Sequence, residues 1–357
     1  MGRFVHILSS RIILNKIKTL SLFSGIGAFE KGLQNLNIDY DLINYCEIDE
    51  KASKSYSIIH DISEEKNLKD ITKIDEKKLP KDLDLITYGF PCQDISLAGK
   101  QKGFQDESGN KTRSGLFFDA LRIIKETQPK FAIAENVKNL MSNKFKSEFE
   151  TVLNSLEDVG YNNYYKILKS SNYGLPQARE RVFIVSIRKD IDKGFVFPKP
   201  IKLEKTLYEC LDFRDNKDDL TKSFYNFYKE KINNLASYED FIKYIEQIPI
   251  KENEIHTKDL KMYSFNETNI ITMLSGICGT LTCRNVINYN KKFFYNNKLY
   301  KPSPKMCFRL QGFTDEDYNK IKDIIKEKYI YKQIGNSIPV NFLYYIFKEL
   351  FSQYNMN

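Results

Sequence analysis

The chain has 357 residues, with 55 Lys and Arg against 47 Asp and Glu, for a net charge of +8. Its apolar share of 41% is ample for a packed core and excludes a disordered chain. No run of about 18 apolar residues occurs, which excludes a helical membrane span. In chain order, Lys18–Phe23 reads as a strand ending in a glycine turn, and Ala28–Leu36 as the helix that follows. Tyr40–Glu47, Leu83–Gly89, Phe131–Glu135 and Arg181–Ile187 read as further strands, with helices over Gly115–Thr127 and Lys146–Val159. Strands alternating with helices predict βαβ units and a parallel sheet up to about residue 187. Gly194–Pro200 looks like a boundary, residues 203–250 like a solvated helical insert, and Asp317–Phe351 returns to helical patterning.

The opening MGRFVHILSS lacks the long apolar stretch of a signal peptide, and a cytoplasmic protein is expected. Six scattered cysteines without a CxxC pair, and only three histidines, predict buried thiols and no metal site. From Thr268 to Thr314 there is no Asp or Glu, while Arg284, Lys291, Lys292, Lys298, Lys301, Lys305 and Arg309 lie among aromatic and amide side chains. Such a stretch suits a nucleic-acid face, although alone it is a weak signal.

Four places carry chemistry. Phe23-Ser24-Gly25-Ile26-Gly27 follows a strand and opens a helix, where glycines let backbone approach a ligand. The third glycine of a dinucleotide fingerprint is absent, so a nucleoside suits the turn better than a pyrophosphate. Glu47 ends the next strand, where an acid can bond ribose hydroxyls; the bland alternatives are a tight turn and a surface acid. Cys92, after Gly89-Phe90-Pro91, lies just past a strand's carboxyl end, the edge at which doubly wound sheets bind ligands. The polar stretch to Arg113 reads as a mobile lid, with Lys100, Lys102 and Lys111 able to meet phosphates. Glu135, in Glu135-Asn136-Val137, reaches the same edge; burial there would raise its pKa and let it protonate or bond a ring nitrogen. Its bland alternative is a helix-capping acid. Alternation in an extended Gln177–Arg181 puts Arg179 and Arg181 on one face, as a phosphate or carbonyl clamp would require.

Taken together, these residues resemble the cytosine-5 DNA methyltransferase family. The match runs through SLFSGIGAFEKGL (21–33), Glu47, KDITKI (69–74), GFPCQDIS (89–96), ENV (135–137), QARERVFIV (177–185), RLQGF (309–313) and QIGNSIPV (333–340), in the family's order and spacing. It leaves out residues 1–17 and about 190–275.

The resemblance implies a doubly wound mixed α/β sheet, Rossmann-like, with a smaller α+β target-recognition domain. Residues 1–187 would form the catalytic domain, 188–316 the recognition domain, and 317–357 a segment returning to the first. It implies S-adenosyl-L-methionine as methyl donor and S-adenosyl-L-homocysteine as product. Leu22, Phe23, Gly25, Gly27 and Pro91 would line the donor's pocket, with Phe23 at the adenine and Glu47 at the ribose. Ile48 stands where an aromatic residue is usual, and Asp70 with Ile71 would meet the adenine edge; the rival acid Asp61 fits the spacing less well. Asn336 and Ser337 would reach the methionine end. Cys92 would attack C6 of a flipped cytosine, Glu135 would engage N3, Arg181 would hold O2, and Arg179 would support the site or a phosphate; no metal is needed. Gln93, Ser96, Lys100, Thr280, Thr282 and Arg284 are the expected contacts to double-stranded DNA, the last three within GTLTCR, whose bland and less favoured alternative is an ordinary strand. SPKMCF (303–308) places Met306 where an acid is typical. A monomer is expected, nucleoid-associated when on DNA, with a companion restriction endonuclease as a possible partner. The rivals are an RNA cytosine methyltransferase, which the long variable segment disfavours, a catalytically dead binding protein, and a nicotinamide oxidoreductase, which would leave PCQ, ENV and QxRxR unexplained.

Overall fold

The computed structural model describes residues 16–92, 95, 103–104, 112–203, 205–210, 220–232, 236–248, 261–265, 270–271, 276–282 and 291–355. Of the expected site residues, Gln93, Ser96, Lys100 and Arg284 lie outside these, as do Lys102 and Lys111.

Short, nearly continuous apolar runs form the centre of the sheet because they are covered on both faces. They are β1 (Ile17–Leu22), β3 (Leu85–Tyr88) and β4 (Phe131–Val137), flanked by β2 (Tyr40–Cys46) on one side. On the other side lie β5 (Tyr161–Lys169) and β7 (Glu180–Arg188), giving the order β2-β1-β3-β4-β7-β5. Period-2 alternation sends Phe131, Ile133, Phe183, Val185 and Ile187 to one face and Ala132, Ala134, Val182 and Ile184 to the other. The first face is covered by α1 (Ala28–Asn35) and the C-terminal α11 (Val340–Tyr354). The second is covered by α3 (Phe117–Thr127) and α4 (Lys146–Asp158). The result is a doubly wound, Rossmann-like α/β layer.

Alternation alone predicted a parallel sheet, and here the structure differs. β7 pairs antiparallel with both β4 and β5. Residues 170–179 join β5 to β7 without a crossover α-helix, so the chain returns beside the strand it has just left. β5 itself was not expected, because YNNYYKILK carries exposed polar residues where a central strand would carry apolar ones. It is an edge strand.

Beyond the sheet, α2 (Glu50–His60) is capped by Asp49, whose side chain accepts from the N–H groups of Lys51 and Ala52. The expected helical insert contains α5 (Leu207–Cys210), α6 (Thr221–Tyr228) and α7 (Tyr238–Gln247). A small antiparallel sheet follows, built of β8 (Lys261–Phe265), β9 (Ile270–Ile271), β11 (Lys291–Tyr295) and β12 (Lys298–Tyr300). Tyr228, Phe241, Ile245, Tyr263, Phe294 and Leu299 give it its own apolar cluster. The two-residue strands β6 (Gln177–Ala178) and β10 (Cys278–Gly279) pair with each other. The chain then forms α8 (Pro304–Leu310), α9 (Asp315–Ile321) and α10 (Glu327–Asn336), whose apolar residues join the cluster under α1 and α11. Met306 is buried there and accepts from the Ser303 N–H at 3.4 Å, so it both caps and packs. Among the described residues no helix is long and apolar enough to cross a membrane.

Candidate active site

The turn after β1 is held in left-handed backbone at Phe23 (φ 55°), Gly25 (φ 58°) and Gly27 (φ 81°). Its two glycines serve different ends. A side chain at Gly25 would meet nothing within 4 Å, so this residue borders open space. A Cβ at Gly27 would come within 2.1 Å of His60 Nε2. His60 is buried between the Ile26 carbonyl (3.0 Å) and Gln34 (3.2 Å), and burial pushes its pKa down to about 4. Gly27 is expected to line a ligand pocket with its backbone; its missing side chain also leaves room for a neutral packing histidine.

Glu47 faces the same turn. Its Oε2 accepts from the Gly25 N–H at 2.9 Å and its Oε1 from the Asp49 N–H at 2.8 Å. Burial raises its pKa, while these two N–H donors oppose the rise. Asn67, which sequence reasoning missed, fixes this corner. Its side chain accepts from the N–H groups of Glu47 (3.0 Å) and Lys69 (2.8 Å) and donates to the Glu47 carbonyl (2.9 Å) and Ser53 Oγ (2.9 Å). Nothing in the local pattern marks an asparagine 20 residues after the acid. Asp70 caps a single turn at Ile71–Lys73 and accepts from the N–H and hydroxyl of Thr72; Ile71 is buried. Asp61 instead lies in an exposed pair with Lys320. Ile48 is 71% exposed beside Glu47, an apolar side chain offered to solvent.

The helix α10 reaches this region through two ties to α2: Lys332 Nζ to Asp49 Oδ2 at 2.7 Å, and Ser55 Oγ to Gln333 Oε1 at 2.9 Å. It ends with exposed Asn336 and buried Ser337. Open space at Gly25, a carboxylate held by two N–H groups and an exposed apolar side chain form a donor and contact set that fits a nucleoside's ribose and ring.

The second cluster lies past the ends of β3 and β4. Asn136 is buried and donates to the Phe90 carbonyl at 3.1 Å, tying ENV to the residue before Pro91 and Cys92. The Cys92 carbonyl accepts from the Ile95 N–H at 3.0 Å, and Asn139 Nδ2 donates to the Ile95 carbonyl at 2.5 Å. Farther along, Phe104 sits among Phe90, Phe117 and Phe118, with ring centroids 5.7–6.5 Å away.

Cys92 is partly exposed, whereas Cys46, Cys210, Cys278 and Cys307 are buried. Glu135 Oε1 pairs with Arg181 Nε at 2.9 Å, with side-chain exposures of 12% and 13%. Burial raises the Glu135 pKa, and Arg181 and then Arg179 oppose it. Burial likewise raises the Cys92 pKa; Arg181 lowers it and Glu135 raises it further. Thiol, carboxyl and guanidinium thus act on one another at the sheet edge where a ligand is expected. The carboxyl is not a helix cap.

Arg179 was expected beside the site or on a phosphate. It is only 2% exposed, and its guanidinium donates to the carbonyls of Leu281, Gly335 (3.4 Å) and Ser337 (2.7 Å). It therefore holds backbone, and the phosphate alternative does not fit. Gln177 was also missed as a functional residue. Its Nε2 donates to the Leu310 carbonyl at 2.8 Å and its Oε1 accepts from the Leu281 N–H at 3.2 Å. Thr280 donates to the Ala178 carbonyl at 2.6 Å, and Thr280 and Thr282 are both half-buried. Among the described residues no group of His, Cys, Asp or Glu could hold a metal ion.

The mixed Rossmann-like sheet, with a partly exposed cysteine and a buried carboxyl at its carboxyl edge, defines the class as an α/β enzyme with its site past the ends of the strands. The family model of C-5 cytosine-specific DNA methylases matches residues 17–352. Type II methyltransferase M.HhaI of Haemophilus parahaemolyticus is 30% identical over 351 residues, covering 96% of each chain. Orphan methyltransferase M.SPRI of Bacillus phage SPR is 29% identical over 445 residues, covering 96% of this chain and 99% of its own. Among solved structures, the S. pombe Dnmt2 methyltransferase superposes with a TM-score of 0.60 at 20% identity over 95% of this chain and all of its own, a likeness of fold. The chain belongs to the C-5 cytosine-specific DNA methylase family and is a DNA (cytosine-5-)-methyltransferase.

Proposed function

We propose that the protein methylates C5 of a flipped cytosine in a short duplex DNA sequence through a covalent bond between Cys92 and C6. The observation that carries this reading is the cluster of Cys92, Glu135 and Arg181 on one sheet edge, with the Glu135 carboxyl pushed toward its protonated form by burial. C5 of cytosine is too weak a nucleophile to be alkylated directly. Cys92 gives its thiol proton to solvent, and the thiolate adds to C6. Glu135 donates to N3, so the electron pair is held as an enamine with its density at C5. C5 then bonds the methyl group as the methyl–sulfur bond of the donor breaks, N3 returns its proton to Glu135, a base takes the C5 proton, and Cys92 leaves as thiolate as C5=C6 re-forms. Arg181 orients Glu135 and holds the cytosine O2. The target atom lies inside the duplex, so the base must leave the stack.

S-adenosyl-L-methionine, the methyl donor in this reading, supplies an electrophilic methyl group on a sulfonium and leaves as S-adenosyl-L-homocysteine. Phe23 and Gly25 would border it, Glu47 would bond its ribose hydroxyls, and Ile48, Asp70 and Ile71 would border the adenine. Leu22 and Pro91 would close the pocket, and Asn336 with Ser337 the methionine end. Thr280, Thr282 and Arg284 would meet DNA from one side, and Gln93, Ser96 and Lys100 from the loop after Cys92. We read residues 1–187 and 317–357 as the catalytic part and 188–316 as the recognition part. A cytoplasmic monomer in restriction protection or a phage suits the type II and orphan phage relatives. The orphan relatives favour action without a companion endonuclease.

The test is methyl transfer from labelled S-adenosylmethionine to unmethylated duplex DNA and, separately, to tRNA, read by nucleoside mass spectrometry. 5-Methylcytosine in DNA is expected; label confined to tRNA overturns the substrate assignment. A covalent complex on 5-fluorocytosine DNA, absent in Cys92→Ser, is expected from the adduct. A complex that survives in Cys92→Ser removes the nucleophile assignment.

A further inference from the structure

The strand β6 and the residue after it hold two distant parts of the chain at once. On one side, β6 pairs with β10, and the Cys278 N–H donates to the Pro176 carbonyl at 2.7 Å. The Thr280 hydroxyl bonds the Ala178 carbonyl, Leu281 N–H bonds Gln177, and Leu281 C=O accepts from Arg179. On the other side, Arg179 donates to Gly335 and Ser337, and Gln177 to Leu310. Gln311 extends the reach, donating to the Ile334 carbonyl at 3.0 Å. Arg179 thus bonds carbonyls 102 and 158 residues away, in the segment that carries Thr280 and Thr282 and in the turn that carries Asn336 and Ser337.

From this geometry we infer that Arg179 is a positioning residue that couples the DNA-recognition segment to the methyl-donor site. The inference rests on the roles proposed above for Thr280, Thr282, Asn336 and Ser337. The physical reason is the planar guanidinium. Its N–H groups point in fixed directions, so the Leu281 and Ser337 carbonyls cannot shift relative to each other without losing a bond. The group is buried, and water cannot replace a lost partner cheaply. A lysine ammonium offers a single point charge and cannot span both carbonyls. Seating the recognition segment on DNA therefore sets the turn at 335–337, and filling the donor site sets the recognition segment. The coupling is reciprocal by linkage.

The test measures the dissociation constant of S-adenosylhomocysteine for the full chain, alone and with saturating PCR-amplified unmethylated duplex DNA of several kilobases. In the wild type, DNA is expected to tighten binding about fivefold or more. In Arg179→Lys, and in Thr280→Val, which removes the hydroxyl tie to Ala178, with DNA held at saturation for each variant, the ratio is expected to fall close to one. A purely structural role would weaken binding with and without DNA alike and leave the ratio standing. A wild-type ratio of one, or variants that keep the wild-type ratio, overturns the inference. Should Arg179→Lys fail to fold, Thr280→Val decides. Failure of the methyltransferase reading looks different: the wild type then transfers no methyl group to DNA whatever the ratio, and absence of S-adenosylhomocysteine binding overturns both.

Discussion

Arg181 Nε stands 2.9 Å from Glu135 Oε1, and both groups act on the Cys92 thiol, the cation lowering its pKa and the carboxylate raising it. Burial sets the balance, so the free enzyme holds Cys92 mainly as thiol at neutral pH.

Alkylation of Cys92 by iodoacetamide should therefore rise with pH, with a midpoint above that of an ordinary thiol. Arg181→Ala removes the charge that favours thiolate and should move the midpoint up. Glu135→Gln removes the charge that disfavours it and should move the midpoint down. Peptide mass spectrometry reads Cys92 directly, and the buried Cys46, Cys210, Cys278 and Cys307 serve as slow controls. Shifts of the opposite sign would show that the three groups do not share one field.

Glu135→Gln should also lower kcat by about 10²–10⁴-fold, the usual contribution of a general acid. The amide can still bond N3 but cannot give up a proton. Single-turnover transfer to DNA, with circular dichroism to show the fold is kept, checks this. A kcat within threefold of wild type would leave the proton to another group.

The two glycines of the first turn should fail in different ways. Gly27→Ala drives a methyl group into His60 and should lower stability by about 2 kcal/mol or more. Gly25→Ala meets no neighbour, so it should lose only about 1 kcal/mol to its left-handed backbone. Its methyl group would project into the open space beside Glu47, so S-adenosylhomocysteine binding should weaken tenfold or more, about 1.4 kcal/mol. Thermal denaturation and calorimetric titration separate the two effects.

Asn67→Ala strips four hydrogen bonds from the corner that carries Glu47 and the Lys69–Asp70 turn. The KM for S-adenosylmethionine should rise about tenfold, about 1.4 kcal/mol of binding. Because Asn67 pairs beside β2, two strands along the sheet from β3, after which Cys92 lies, kcat at saturation should change little. Steady-state kinetics at varied donor concentration gives the split; a fall in kcat alone would place Asn67 elsewhere in the mechanism.

The amino-acid sequence by itself determined the strands β1 to β4 and β7, the helices α1, α3 and α4, and the positions of Cys92, Glu135 and Glu47. These rest on local period, on glycine and proline punctuation, and on motifs whose spacing survives without knowledge of partners. The tertiary structure decided what those signals do not carry. Only β7's pairing shows that it runs against its neighbours, because a strand's direction in a sheet depends on its connection rather than its composition. Gly25 and Gly27 look alike in the chain, and His60, brought from 33 residues away, makes them different. Alternation predicts one shared face for Arg179 and Arg181. Yet Arg181 reaches the Glu135 carboxyl, while Arg179 is taken up by carbonyls at Leu281, Gly335 and Ser337. A hydrogen-bond partner a hundred residues away leaves no trace in local periodicity, so the clamp at Gln177 and Arg179 appears only when the chain is folded.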